Sequence, residues 1–385
     1  MHIVRLIPDK NSKYHFGEGS LGGSSYIFHS NSLFSAIVNN FIKLYGVDEY
    51  NNYKEEIKKL KISSLFPAIY KINNNDGKSK IEEEILFIPK PMVMLGFDED
   101  TQYIIEEKPK DIKKIKFISM GALKKHNERK LKKITIGKEY LISEGEKEKF
   151  RYVKPKKMDL FKKIIEQKVS LDRIKGTTLE DNDKGQLYAI EFIKPLGKDD
   201  KTVGFYFSIN FDDIDEKLIN KVKASINLIK DEGLGGKRSI GAGTFKEIII
   251  DEFNEDTTIK KDLLNKIYLQ RGKKYISKEK KAVLSITIPK DEEELKNLNS
   301  YQLIKIGGYI YSSSNIANIT KLKKNVYGLM EGSICNNSIN GDTLNLKPDN
   351  DKLKIDHEII LNGHPILIPV ISYEEHNEEG KHEHI

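Results

Sequence analysis

Gly233-Leu-Gly-Gly-Lys-Arg-Ser-Ile-Gly-Ala-Gly-Thr-Phe-Lys246 holds five glycines around the adjacent cations Lys237 and Arg238. Clustered glycines mean a backbone that turns through positive φ or approaches something closely. Several amides can then converge into an anion-binding concavity, and two long cations beside them would complete a phosphate site. A nucleotide-binding P-loop is excluded. That motif needs Gly-x4-Gly-Lys-Ser/Thr between a strand and a helix, whereas Gly236-Lys237 is followed by Arg238 and the loop runs from a helix pattern into a strand pattern. It sits at the negative end of a helix dipole, so phosphate affinity must come from amides and side chains.

Upstream of the loop, Ile214, Leu218, Val222, Ile226 and Ile229 form one stripe of a helix that starts near Asp212 or Asp213 and stops at Gly233. Downstream, Thr244 to Ile250 reads as a strand. Near the N-terminus, Met1 to Ile7 is strand-like, and Tyr14 to Ser25 forms a first glycine-bearing loop. Ser30-Asn31-Ser32 then offers N-cap oxygens to a helix carrying Leu33, Phe34, Ile37, Val38, Phe41, Leu44 and Tyr45, ending at Gly46. This order is that of an α+β, ferredoxin-like βαββαβ unit. Residues 1–252 are expected to form it, with a large Lys-rich insertion at about 50–200, and 253–385 a second, β-rich ferredoxin-like domain. In the latter, Ala282 to Ile288 and Ile306 to Ser312 read as strands and Asp291 to Leu298 as a short helix.

The 385 residues exceed one ordinary domain. Charged residues are 32% and the mean hydropathy is −0.52, so the surface is very polar. Net charge is 65 − 58 = +7, which favours a polyanionic partner. The single Cys335 allows no internal disulfide and fits a reducing compartment. The N-terminus lacks a signal-peptide pattern and no apolar run reaches membrane-spanning length, so a cytoplasmic location is expected. His376, His382 and His384 lie in an acidic tail, and no Cys/His cluster has ligand spacing, so neither a metal nor any other cofactor is expected.

Four segments together resemble the fourth Csm subunit of type III-A CRISPR interference complexes: Tyr14-His-Phe-Gly-Glu-Gly19, His29-Ser-Asn-Ser-Leu-Phe-Ser-Ala-Ile37, Ser170-Leu-Asp-Arg-Ile-Lys-Gly176, and the glycine loop. Gly307-Gly-Tyr-Ile-Tyr-Ser312 and Glu331-Gly-Ser333 extend the likeness into the C-terminal half. The resemblance implies tandem ferredoxin-like (RAMP) domains with a protruding thumb-like insertion. It also implies a non-catalytic subunit that binds the 5′ handle of the CRISPR RNA beside backbone RAMP subunits and docks onto the large polymerase-like subunit. The chain departs from the family pattern at Asn31, where Asp is usual, and in the compressed segment Gly363 to Val370.

The residues agree in kind. Single-stranded RNA presents phosphates, 2′-hydroxyls and unstacked bases, which proteins meet with amides, cations and aromatic platforms. The expected RNA-binding set is His15, Gly17, Gly19, Ser24, His29, Ser32, Arg173, Lys175, Gly235, Gly236, Lys237, Arg238, Ser239, Gly241 and Gly243. Tyr14 and Phe16 flank the first loop and are placed to stack on a base or to pack in the core. For Lys237, Arg238 and Arg173 the alternative is pairing with surface acids. A repeat-cleaving endoribonuclease of the same fold would use His15 or His29 as general base; a pure protein-interaction module would bind no RNA at all.

Overall fold

The structure, a computed structural model, describes all residues except 18–22, 76–77, 108–109, 138, 150–158, 173, 179, 182–183, 186, 198–200, 254–255, 271, 311–321, 350–356 and 377–385. The elements that carry the argument are β1 (His2–Ile7), α1 (Ser30–Lys58), β2 (Phe66–Asn75), β3 (Lys78–Pro89), β4 (Phe117–Ser119), α2 (Met120–Asn127), β5 (Tyr140–Ile142), β6 (Phe161–Val169), β7 (Leu187–Pro195), β8 (Lys201–Asn210) and α3 (Glu216–Asn227), followed by β9 (Glu247–Glu252), β10 (Lys273–Val283), β11 (Leu303–Ile306), β12 (Val326–Leu329) and β13 (Leu367–Glu375). They form two compact units, Met1–Leu86 with Asp159–Phe253, and Phe87–Met158 with Asn254–Ile385.

The first unit is an antiparallel sheet in the order β9-β1-β8-β2-β3. Strand β1 lies between β9 and β8, so α1 and α3 are the two crossovers of a ferredoxin-like βαββαβ unit, with β3 added at the edge. Leu33, Phe34, Ile37 and Phe41 of α1 are buried, as are Leu218, Val222 and Ile226 of α3. The two helices lie side by side, and Asn40 Nδ2 donates to the Ser225 carbonyl at 3.1 Å. Leu44, expected on the buried stripe, is 45% exposed.

Three details differ from expectation. Gly46 (φ 85°, ψ 170°) breaks the helix, which resumes beyond it to Lys58. The expected cap oxygens of Ser30 to Ser32 are not used. The N-cap is His29 in extended conformation with no side-chain cap bond, and the Ser30 amide donates instead to Ser64 Oγ at 2.8 Å. Helix α3 is capped by Asp215, whose carboxylate accepts from Lys217 N at 2.9 Å, because Asp213 is in left-handed conformation (φ 61°) and cannot open a helix.

The units also divide the stretch 50–200 differently from the expected single insertion. Residues 50–86 complete α1 and supply β2 and most of β3 in the first unit, to which the hairpin β6–β7 also belongs; 87–158 fold with the C-terminal part. The cause is a set of buried polar contacts. In the second unit the end of β3 pairs with β4, and β4 runs parallel to β5. Ser119 caps α2 by accepting from Ala122 N at 3.0 Å. Glu146 gathers that corner, accepting from Ser119 Oγ, Gly121 N and Ser143 N at 2.5, 3.1 and 2.7 Å.

The last turn of α2 then locks onto β13, which pairs antiparallel with β10 from Tyr275↔Glu375 to Val283↔Leu367. His126 Nδ1 accepts from Gly96 N–H at 2.8 Å, and its Nε2–H donates to the Ile371 carbonyl at 2.9 Å. Asn127 Oδ1 accepts from Ile371 N at 2.9 Å, and the Tyr373 hydroxyl donates to the His126 carbonyl at 2.8 Å. Only the neutral Nε2–H tautomer satisfies both His126 bonds, since a proton on Nδ1 would meet the Gly96 N–H. Burial pushes this imidazole down to about 4.

Two outcomes follow for stability. Ile37→Asp places an unpaired charge where the side chain is 2% exposed, at a cost of several kcal/mol, and is expected to abolish the cooperative thermal transition of the first unit; a normally melting variant would make α1 peripheral. The second concerns pH. The His126 pKa is depressed on folding, so the unfolded chain binds the extra proton between about 6.5 and 4 and stability falls as pH drops through that window. The loss approaches about 3 kcal/mol for the second unit, and urea titrations at pH 7 and pH 4.5 should show it in the parent chain and blunted in His126→Gln.

Candidate nucleic-acid interface

The two glycine-bearing loops interlock in the first unit. Gly236 N donates to the His15 carbonyl at 2.8 Å, Gly243 N to the Lys13 carbonyl at 2.9 Å, and Leu234 N to the Gly243 carbonyl at 3.0 Å. A Cβ on Gly235 (φ 86°) would stand 2.5 Å from the His15 carbonyl oxygen, and one on Gly243 (φ 91°) 2.3 Å from that of Leu234. The glycines are thus required by close backbone approach. Leu234, Gly236, Ile240, Gly241, Ala242 and Gly243 all donate their amides within the protein, so these amides do not form the anion-binding concavity that glycine clustering suggested. The loop turns tightly, with Lys237 left-handed (φ 62°) before the 3-10 turn Arg238–Ile240.

The hairpin β6–β7 closes the arrangement. Tyr14 exchanges both backbone bonds with Ile193 at 2.9 Å, and Ile190 and Phe192 of β7 pack with Ala242 of the glycine loop. Tyr14 and Phe16 belong to the core. Tyr14 is wholly buried with its hydroxyl on the Thr244 carbonyl at 2.8 Å, burial raises its pKa, and Phe16 packs on Phe28 and Phe205. Neither ring is available to a base.

His15 is 6% exposed, with its ring edge-on to Phe192. Its Nδ1 lies 2.8 Å from the Glu191 carbonyl, so that nitrogen donates. That Nε2 faces the narrow space between Gly17 and Gly236. Ser24 holds the loop, its hydroxyl accepting from Phe16 N and its amide donating to Glu191 Oε1, both at 3.0 Å. The Lys163 ammonium, 2.9 Å away, holds the Glu191 carboxyl below its usual range.

The two cations of the loop differ. Lys237 is exposed and its Nζ lies 5.9 Å from the Tyr188 ring centroid. Arg238 turns back, donating to the Glu232 carbonyl at 3.3 Å and standing 3.7 Å from its carboxylate. Ser239 and Gly241 are exposed on the same turn. His29 and Ser32 open α1, with the His29 carbonyl accepting from the Ser32 amide. Lys175 is exposed in the turn between Leu171–Asp172 and Thr177–Thr178. Gly19 and Arg173 lie outside the described residues. Among the described residues no group of His, Cys, Asp or Glu could hold a metal ion.

Residues 11–246 match the family model for the RAMP superfamily, and residues 277–370 that for the CRISPR Csm4 C-terminal domain. A curated relative from Methanocaldococcus jannaschii, named CRISPR system Cms protein Csm4, is 43% identical over 96% of this chain and 97% of its own. The chain belongs to the Csm4 family. A solved Csm4, in the crystal structure of a Csm3–Csm4 subcomplex of the type III-A interference complex, is 35% identical, covers 96% of this chain and 99% of its own, and superposes with a TM-score of 0.61.

In this Csm4-family chain, Lys13, Lys163, Tyr188 and Glu191 join the expected residues. Lys13 sits 4.5 Å from the Phe192 ring centroid and pairs with Glu166. No sequence pattern flags these four: Lys163, Tyr188 and Glu191 reach the loop through the β6–β7 register, and Lys13, next to Tyr14, gains its role only when Glu166 and Phe192 of that hairpin are placed beside it. The glycines give a graded test. Gly235→Ala, with positive φ and a carbonyl in the way, should destabilise the first unit well beyond Gly241→Ala, where the Cβ meets nothing within 4 Å and only left-handed strain of about 1 kcal/mol remains. Equal melting shifts for the two variants would contradict the interlock.

Proposed function

We propose that the chain is the non-catalytic subunit of a type III-A Csm interference complex that holds the 5′ handle of the CRISPR RNA. In this reading it assembles with a backbone RAMP subunit, as its relative does with Csm3, docks to the large polymerase-like subunit, and works in the cytoplasm. The observation that carries the RNA reading is Lys237. It is an exposed cation on a loop fixed by backbone bonds, beside the half-exposed Tyr188 ring. A cation next to an accessible aromatic face suits a phosphate and its adjoining base. Gly17, Gly19, His29, Ser32, Arg173, Lys175, Ser239 and Gly241 make up the rest of the proposed surface, shaped from behind by the buried His15, Ser24 and Gly243 with Gly235 and Gly236, and Arg238 joins it on leaving Glu232.

The nuclease alternative finds little support. His15 is buried with its Nδ1 held on a backbone carbonyl, and His29 occupies a helix cap.

The chain is expected to bind single-stranded repeat-handle RNA with marked salt dependence and to leave its length unchanged with or without divalent metal. Lys237→Ala should reduce the slope of log K against log salt by about 0.7 without altering melting, and the Lys237→Ala/Arg238→Ala double variant by more than that, reaching about 1.4 only if Arg238 leaves Glu232 for a phosphate. Cleavage lost on His15→Ala would overturn the non-catalytic reading. An unchanged slope, with co-purification of the large subunit abolished, would reassign the loop to protein docking.

A further inference from the structure

The β11–β12 ribbon of the second unit has two unlike faces. Ile304, Ile306 and Val326 turn inward onto Ile286, Ile288, Leu346, Ile359 and Leu361. On the outer face Leu303 is 53% exposed, and Lys305 stands directly opposite Tyr327, which is 65% exposed. Tyr301 and Tyr309, on either side of β11, are exposed at 53% and 55%, and Tyr309 bridges to Leu322 on the opposing segment. Among the described residues none of these three rings packs against another ring or a cation. Stretches 298–310 and 322–330 contain Lys305, Lys323 and Lys324 and no acid; Lys324 pairs with Asp349 from outside them.

We propose that this outer face is a stacking surface for unpaired RNA, separate from the Lys237 loop and independent of it. Exposed tyrosines suit both protein and RNA partners, but lysine is depleted at the centre of protein interfaces, where its charge would be stranded. Here Lys305 stands directly opposite Tyr327, with Tyr301 and Tyr309 exposed on either side of its strand. A nucleotide answers both groups at once, giving each ring a base face and the ammonium a phosphate. Neither segment contributes a carboxylate of its own, and the nearby Asp349 is paired with Lys324.

The test uses the full-length chain and a fluorescent homopolymeric uridine oligoribonucleotide, read by anisotropy across a salt series. Tyr327→Ala should weaken binding about five- to 150-fold for a stacked base with the salt slope unchanged, while Tyr327→Phe keeps affinity. Lys305→Ala should lower the slope by about 0.7. Tyr301→Ala serves as a second ring variant, and melting curves check that each protein is folded. If RNA affinity survives Tyr327→Ala, Tyr301→Ala and Lys305→Ala, the proposal is overturned, and loss of the large subunit in the same variants would make the face a protein-docking surface. Lys237→Ala run alongside separates the two sites: an effect there but not at Tyr327 sinks this inference alone, and a parent chain without RNA affinity sinks both.

Discussion

The His15 carbonyl stands 2.5 Å from where a side chain on Gly235 would begin, and the architecture of the candidate interface depends on that approach. Two loops far apart in sequence are held by backbone bonds that only glycine permits. Everything chemically interesting is positioned relative to this seam: the His15 ring pinned to Glu191, the hairpin laid over Ala242, and Lys237 turned outward. A backbone seam is already ordered, so a cation mounted on it meets a ligand without the cost of ordering the loop, and only its own side-chain rotamers are left to fix.

A second seam organises the other unit by different means. There the joining groups are an imidazole, an amide and a phenol, all buried and all satisfied. Buried polar networks specify partners because any misalignment strands a donor or acceptor. This specificity explains how a segment inserted between β3 and β6 joins the C-terminal strands instead of forming a lobe of its own.

The parts of the fold written in local periodicity were legible. The stripes of α1 and α3 and the stop at Gly233 follow from spacing and from glycine's conformational range, while at Gly46 the sequence marked the break but not the resumption of the helix to Lys58. What stayed hidden is non-local. The amide at the start of α1 is satisfied by Ser64, which no cap motif foretells, and His126 reads as one more polar residue in a Lys-rich stretch until Ile371 is placed beside it. The glycine loop shows the same limit at the candidate site. Its glycines were conspicuous, but sequence could not tell an anion nest from close packing, and the hydrogen bonds decide for packing. Likewise Lys237 and Arg238 are neighbours with equal claims in the sequence, and only the position of Glu232 distinguishes them.

That distinction bears on how a chain of net charge +7 would recognise a polyanion. Near the loop most cations are answered: Lys13 by Glu166, Lys163 by Glu191, and Arg238 and Lys43 both by Glu232. A phosphate would have to displace a carboxylate from each, recovering little Coulomb energy in exchange. Among the described residues Lys237 makes no ion pair and has no such competitor. Paired cations still lower the cost of bringing a phosphate near, but they contribute weakly to net counterion release, because each is already partly neutralised. In the proposed role, selectivity for one stretch of RNA would therefore come from where the few unanswered groups stand. The glycine seam fixes that position for Lys237, and the inward packing of Ile304 and Ile306 fixes it for Lys305 and Tyr327.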